Sequence, residues 1–260
     1  MVLVKELVTE FERFAPKELA MPKDPVGLQL GFLEQEVTKM MVTLDVRPET
    51  VAEAIANGCD FIFAHHPAVF RPIQPFDLAQ PQNQMYAEIL KHNITVYAAH
   101  TNLDCAAGGM NDWLAMALDL QAVKPLREDG LGRIGNLATE MTVADFAAYC
   151  KQVFKLQGLR VISADLNAKV KRVAVLGGAG GSFYEAALAQ GAEAYVTGDI
   201  SYHTGHDVLA AGLNVFDVGH HVESICKPHL KSLFEQIIRQ KGWNLPVIES
   251  KLNTDPFIFC

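Results

Sequence analysis

Histidines and carboxylates gather at three places in this 260-residue chain, each just after an apolar run. His65-His66-Pro67 closes the run Phe61-Ile-Phe-Ala64. Adjacent strand residues point to opposite faces, so both rings can ligate together only where the strand ends and the backbone turns. Proline next in line supplies that turn; the plainer alternative is one packed and one solvated imidazole. His100-Thr-Asn-Leu-Asp104 follows a second apolar run and precedes Gly108-Gly109 and a helical stretch, Met110 to Leu118. That places Asp104 in a strand-to-helix loop, where a carboxylate suits a hard or borderline cation or a bridge between two. Taken alone, Asp104 reads more simply as a loop or helix-cap aspartate. The third place is Asp217-Val-Gly-His220-His221-Val-Glu223. If a helix starts near His220, then His220 and Glu223 stand at i and i+3 on one face, and His221 points elsewhere.

Three separate strand ends, each with histidine or carboxylate, are far less expected by accident than any one of them. Three imidazoles and two carboxylates exceed the needs of one catalytic zinc, which takes three protein ligands and keeps a position open. They suit two divalent ions about 3.5–4 Å apart. His65, His66, Asp104, His220 and Glu223 are therefore the expected ligand set, and zinc, manganese, iron and nickel all accept such donors. Around them, Gly198-Asp-Ile-Ser-Tyr-His203 offers His203 as a candidate acid/base group or as a hydrogen-bond donor near the ions. His206 reads as solvent-facing. Gly177-Gly-Ala-Gly-Gly181-Ser182 is either a phosphate cradle on free amides or a plain tight turn. Cys105, beside Asp104, reads better as a small buried apolar residue than as a soft ligand.

The elements that must position these groups are written twice. Residues 37–66 align without gaps to residues 170–199. Each copy runs from a short β stretch through an alanine-rich helical stretch ending at glycine (Gly58, Gly191), then an acid (Asp60, Glu193) and a second β stretch. Further on, Asn93 to His100 resembles Leu213 to His220. Alternation of strands and helices implies parallel βαβ units with right-handed crossovers, and such sheets collect ligands beyond the carboxyl ends of their strands. The expected fold is therefore α/β: two similar, interlinked lobes, 1–133 and 134–260, with layered α/β/α sheets and the metal site between the lobes at strand ends. Ala68 to Asn83, rich in proline, reads as a surface loop. Val4 to Phe14 reads as a packing helix with Leu7, Phe11 and Phe14 on one face. Thr142 caps a helix to about Lys155, Gly130 to Gly135 links the copies, and the apolar end Pro256-Phe-Ile-Phe-Cys260 reads as docked on a core or a neighbouring subunit.

Bulk properties narrow the function. Acids outnumber bases 30 to 22, for a formal charge of −8. Nucleic-acid backbones are bound by lysine and arginine, so no nucleic-acid partner is expected. Two bound divalent ions would offset about half of that charge locally, which keeps an anionic small molecule admissible as substrate. No apolar run reaches the roughly 20 residues needed to span a bilayer, and no secretion signal is seen at the N-terminus. Five widely spaced cysteines without CxxC form neither a disulfide framework nor a zinc-thiolate site. A reducing cytoplasm fits best.

Taken together, these pieces resemble the Nif-three-like dinuclear metal centre family, often catalogued as GTP cyclohydrolase I type 2 homologues. The resemblance rests on Val26-Gly-Leu-Gln-Leu-Gly31, Thr43-Leu-Asp45, His65-His66-Pro67, His100 to Asp104, Gly132-Arg-Ile-Gly135, Gly198 to His203 and Asp217-Val-Gly-His220. It implies the same five metal ligands, a toroidal homohexamer, and hydrolytic opening of the imidazole ring of GTP with loss of formate. Many members place the last glutamate four residues after its histidine, whereas here Glu223 stands at plus three and Ser224 at plus four. Rival readings are a metal-dependent phosphoesterase or other hydrolase, and a non-catalytic metal-binding scaffold or regulatory protein.

Overall fold

A computed structural model describes residues 1–260. The first half forms β1 (Val2–Leu3), α1 (Val4–Phe14), β2 (Gly27–Leu30), β3 (Glu36–Val37), β4 (Met40–Thr43), α2 (Pro48–Ala56), β5 (Phe61–Ala64), α3 (Pro81–Lys91), β6 (Thr95–Ala98) and α4 (Thr101–Cys105). There follow α5 (Met110–Ala117), β7 (Gln121–Pro125), β8 (Arg133–Thr142), α6 (Val143–Val153), β9 (Arg160–Ile162), β10 (Lys169–Val175), α7 (Tyr184–Ala189) and β11 (Ala194–Thr197). The chain ends with α8 (Tyr202–Ala210), β12 (Asn214–Asp217), a 3-10 segment (His220–Ile225), α9 (Cys226–Lys241) and β13 (Val247–Glu249). No helix is long and apolar enough to cross a membrane.

Two compact units result: residues 1–106 with 224–254, and residues 107–223 with 255–260. The first holds a five-stranded sheet in the order β13-β4-β5-β6-β2, parallel except for the edge strand β2. Every residue of β4, β5 and β6 is buried, as strands covered on both faces must be. Side-chain alternation divides their residues between two layers. Phe63 meets Phe11 of α1, Phe234 of α9 and Tyr97 at ring-centroid distances of 4.6, 4.8 and 5.6 Å. On the other face, Met41, Ile62, Ala64 and Val96 join Val51 and Ala54 of α2 with Met85, Tyr86 and Ile89 of α3.

The second unit holds a six-stranded sheet, β7-β8-β10-β11-β12-β9, whose central β10, β11 and β12 are parallel. The repeat is visible in its register. Met40 pairs with Phe61 as Val173 pairs with Ala194, at the same spacing along the chain. Asp60 binds the amides of Thr38 and Lys39, and Glu193 binds those of Lys171 and Arg172. Gly58 and Gly191 take left-handed conformations, φ 67° and 73°, that end the two helices. The third strands correct the sequence alignment by one residue. Thr95 faces Phe61 and Asn214 faces Ala194, so His100 corresponds to Gly219, not to His220.

The units also do not part at 133/134. β7 lies before that cut yet pairs with β8, Gln121 facing Asn136 and Lys124 facing Ile134, so a boundary there would sever a ladder. β13 returns to pair with β4 in the first unit, and α9 brings Phe234 back to Phe11. Ala68 to Asn83 is not all loop either. Pro81 opens α3, since its fixed φ and missing N–H suit the first helical turn. Val4–Phe14 is helical as expected, and Thr142 caps α6 by accepting from the Asp145 amide at 3.0 Å.

Candidate metal centre

In the first unit, β5 stops at Ala64, which frees His65 and His66 from strand alternation. Their ring centroids lie 4.9 Å apart. His65 is fully buried and its Nδ1 lies 2.8 Å from the carbonyl oxygen of Ala99, just past β6. His66 Nδ1 lies 2.6 Å from Asp45 Oδ1, just past β4. Three adjacent parallel strands thus end on one network. Asp104, on α4, brings Oδ1 to 3.6 Å from His65 Nε2. That is too long for a hydrogen bond, and both atoms are of metal-ligand type.

His100, outside the expected ligand set, completes this cluster. Donor atoms of His65, His66 and His100 lie within 4.8 Å of one another. His100 Nδ1 is 2.9 Å from Asp24 Oδ1, and Asp24 also accepts from the amide and hydroxyl of Thr101. Burial pushes the Asp24 carboxyl up, but the hydrogen bonds from His100 and Thr101 outweigh it and hold the group below its ordinary value.

In the second unit, the 3-10 segment after β12 carries His220 and Glu223, with Nε2 and Oε2 3.2 Å apart. Here the expected helix start is corrected in kind. A 3-10 helix has three residues per turn, so i and i+3 eclipse. The plus-three spacing therefore matches the local backbone, where an α-helix would suit plus four about as well. His220 Nδ1 is 2.8 Å from Asp199 Oδ2, and Asp199 follows β11 in the place that His66 takes after β5. The glycines of the Gly177 loop leave room for this pair. A Cβ on Gly177 would lie 2.9 Å from Glu223 Oε1; one on Gly178 would lie 2.7 Å from that oxygen and 3.2 Å from His220 Nε2.

That loop is a turn rather than a phosphate cradle. Its Gly177 amide donates to Asn111 Oδ1, and its Gly180 amide to Thr197 Oγ1. His203 is exposed on α8, its ring edge-on to Tyr202 with centroids 5.5 Å apart. His206 also meets the Tyr202 ring, and Cys105 is buried.

The donor set fits divalent ions. His65, His66 and His220 each turn Nδ1 to an oxygen acceptor, which fixes the tautomer whose Nε2 keeps its lone pair. Buried carboxylates, Asp104 and Glu223, sit beside two of those Nε2 atoms. The features missed from sequence are the residues behind the ligands: Asp45, Asp24 and Asp199, with His100. For Asp45 and Asp199 the legible sign is an acid two residues past a strand end, as in Thr43-Leu-Asp45 and Gly198-Asp199; Asp24, three residues before β2, carries no such sign.

Fold and donor set define an α/β protein of duplicated parallel βαβ units with imidazole–carboxylate clusters of metal-ligand type at the strand ends. The chain belongs to the DUF34/NIF3 (NGG1p interacting factor 3) family, whose sequence profile matches residues 2–256. It is 42% identical over 263 residues to a Streptococcus pneumoniae protein named GTP cyclohydrolase 1 type 2 homolog, covering 98% of this chain and 99% of that one. A Lactococcus lactis protein of the same name is 40% identical over 258 residues, covering 98% of each. Among solved structures, the Bacillus cereus protein related to NIF3 superposes with a TM-score of 0.96 at 30% identity, over 100% of this chain and 99% of that one.

Proposed function

We propose that this protein is a metal-dependent hydrolase that holds two divalent ions through His65, His66, Asp104, His220 and Glu223. The observation that carries the reading is the common orientation of three imidazoles, each with Nδ1 on an oxygen acceptor. Bound there, a pair of ions supplies Lewis acidity and a water of lowered pKa. The substrate is GTP or a related nucleotide, with the purine imidazole ring opened and formate lost; the names of the Streptococcus and Lactococcus relatives support this choice.

The chain's own residues then have distinct tasks. Asp104 and Glu223 neutralise the ions from buried positions, and Asp45 and Asp199 keep His66 and His220 oriented. Two imidazoles outside the ligand set are candidates for moving a proton. His100 stands within the imidazole cluster of the first unit and is backed by Asp24; His203 is exposed on α8. Assembly as a homohexamer is part of the proposal, supported by exposed apolar side chains such as Phe257, Ile258 and Phe32, and light scattering after size exclusion tests it.

The deciding experiment is elemental analysis of protein purified without chelator and after reconstitution, followed by turnover of GTP and a panel of phosphate esters. About two ions per chain, formate release from GTP and its loss in Asp104→Ala support the reading. Turnover of phosphate esters alone replaces the substrate, and full metal uptake with no turnover of any substrate replaces the enzyme with a scaffold.

A further inference from the structure

The Asp45 carboxylate is gripped from two sides. Its Oδ1 accepts from His66 Nδ1, and its Oδ2 accepts from the hydroxyl of Thr254, 209 residues away. Its backbone is fixed as well, since its carbonyl accepts from the hydroxyls of Thr43 and Thr50 at 3.0 and 3.1 Å.

Thr254 does not arrive there by loose chance. The segment after β13 is fastened along its length. The Ser250 amide donates to the Val42 carbonyl at 2.9 Å, extending the β13–β4 ladder, and its hydroxyl donates to Glu53 Oε2 at 2.5 Å. The Lys251 amide donates to the other Glu53 oxygen at 2.9 Å, and Lys227 Nζ donates to the Leu252 carbonyl at 2.9 Å. Strand β4 and helix α9 each hold one point, and helix α2 two, of a segment that has no regular structure of its own.

The three candidate ligand histidines differ in what stands behind them. A backbone carbonyl backs His65, and the side chain of Asp199 behind His220 is 43% exposed. The Asp45 side chain, 24% exposed, is clamped by a hydroxyl brought from the far end of the unit. A carboxylate behind imidazole sets its tautomer, its plane and its basicity. A second hydrogen bond on the remote oxygen sets the plane of the carboxylate in turn.

We propose that Thr254 is a positioning residue for the metal centre: it fixes the Asp45 carboxylate that holds His66 with Nε2 presented to an ion. The proposal rests on the metal-binding reading above. It gives the segment from Ser250 to Thr254 a role in metal retention as well as in packing.

The test compares wild type, Thr254→Val, Thr254→Ser and Asp45→Asn in competition titrations of zinc against a chromophoric chelator, with thermal unfolding of each metal-free protein alongside. Residues directly behind a ligand change metal affinity by about 10–100-fold. Asp45→Asn should fall in that range, and Thr254→Val, one bond further out, should weaken one ion by about three- to tenfold. Thr254→Ser should restore wild-type affinity, and the metal-free melting temperature of Thr254→Val should stay within a degree or so of wild type. Wild type with two ions and Thr254→Val with unchanged affinity overturns this inference alone. So does a loss of affinity that serine does not restore. A wild type that takes up no zinc overturns both this inference and the metal reading.

Discussion

Asp104 and Glu223 occupy the same step of the two repeats. The register that sets Thr95 beside Phe61 and Asn214 beside Ala194 puts both carboxylates equally far beyond their third parallel strands. The histidine pair has no such twin. Gly198 and Asp199 stand where His65 and His66 stand, and Asp199 is engaged with His220. The duplicated unit therefore repeats its acid but not its imidazoles, and the first unit is the richer in nitrogen donors.

The repeated acid predicts a loss of metal from either substitution. Asp104→Ala and Glu223→Ala should each lower the metal content of reconstituted protein, and chelator treatment of wild type should lower its melting temperature. Saturating metal at about 100 times its dissociation constant adds about 2.7 kcal/mol. For a chain of this size that is a shift of roughly 5–10 °C. Calorimetry with and without chelator measures it, and an unchanged melting temperature would count against ions bound to the folded state.

The glycines beside Glu223 give a second prediction. Gly177→Ala would set a methyl 2.9 Å from Glu223 Oε1, and Gly178→Ala would add strain at φ 63°. Both should impair metal binding at His220 and Glu223, with Gly178→Ala also costing about 1–3 kcal/mol of stability. Urea unfolding beside metal analysis separates the two effects. Retained metal content in Gly177→Ala would show that Glu223 moves aside freely.

How much of this was legible beforehand follows from the range of the interactions. The strands and the repeat could be read because continuous runs such as Phe61-Ile-Phe-Ala64 and Ala194-Tyr-Val-Thr197 belong to sheets covered on both faces. The strand-end histidines could be read because chain reversal is a local event. The unit boundary was misplaced because the returns of β13 and α9 to the first unit are long-range packing events without local signature. Asp24 and Asp45 were missed for a like reason. Asp24 meets His100 from 76 residues away, and the hydroxyl that clamps Asp45 comes from 209 residues away. The Gly177 loop showed its composition but not that two of its amides are turned inward.

Thiol reactivity should be confined to one residue. Cys59, Cys105, Cys150 and Cys226 are buried, and Cys260 is exposed. Burial pushes the Cys150 thiol up to about 12 and the Cys59 thiol to about 11, leaving almost no thiolate at neutral pH. Alkylation of native protein at pH 8 should label Cys260 alone, and all five cysteines should react in denaturant. Peptide mass mapping reads the sites directly. Rapid labelling of Cys150 in native protein would mean that its surroundings open far more often than the packing allows.

The Asp24–His100 pair predicts an acid limb in stability. Asp24 is held below its ordinary value of 3.8 by hydrogen bonds from His100 and Thr101 that exceed the effect of burial. A carboxyl with a depressed folded pKa contributes stability that is fully present above its unfolded value. That contribution fades as pH falls below 3.8 through the folded pKa. Asp24→Asn removes the titrating group, so metal-free Asp24→Asn should be less stable than wild type near neutral pH, and the gap should narrow on acidification. Urea unfolding of both proteins between pH 7 and about 3 measures it. A gap that stays constant across that range would mean that Asp24 acts by its shape and hydrogen bonds alone, with no contribution from its charge.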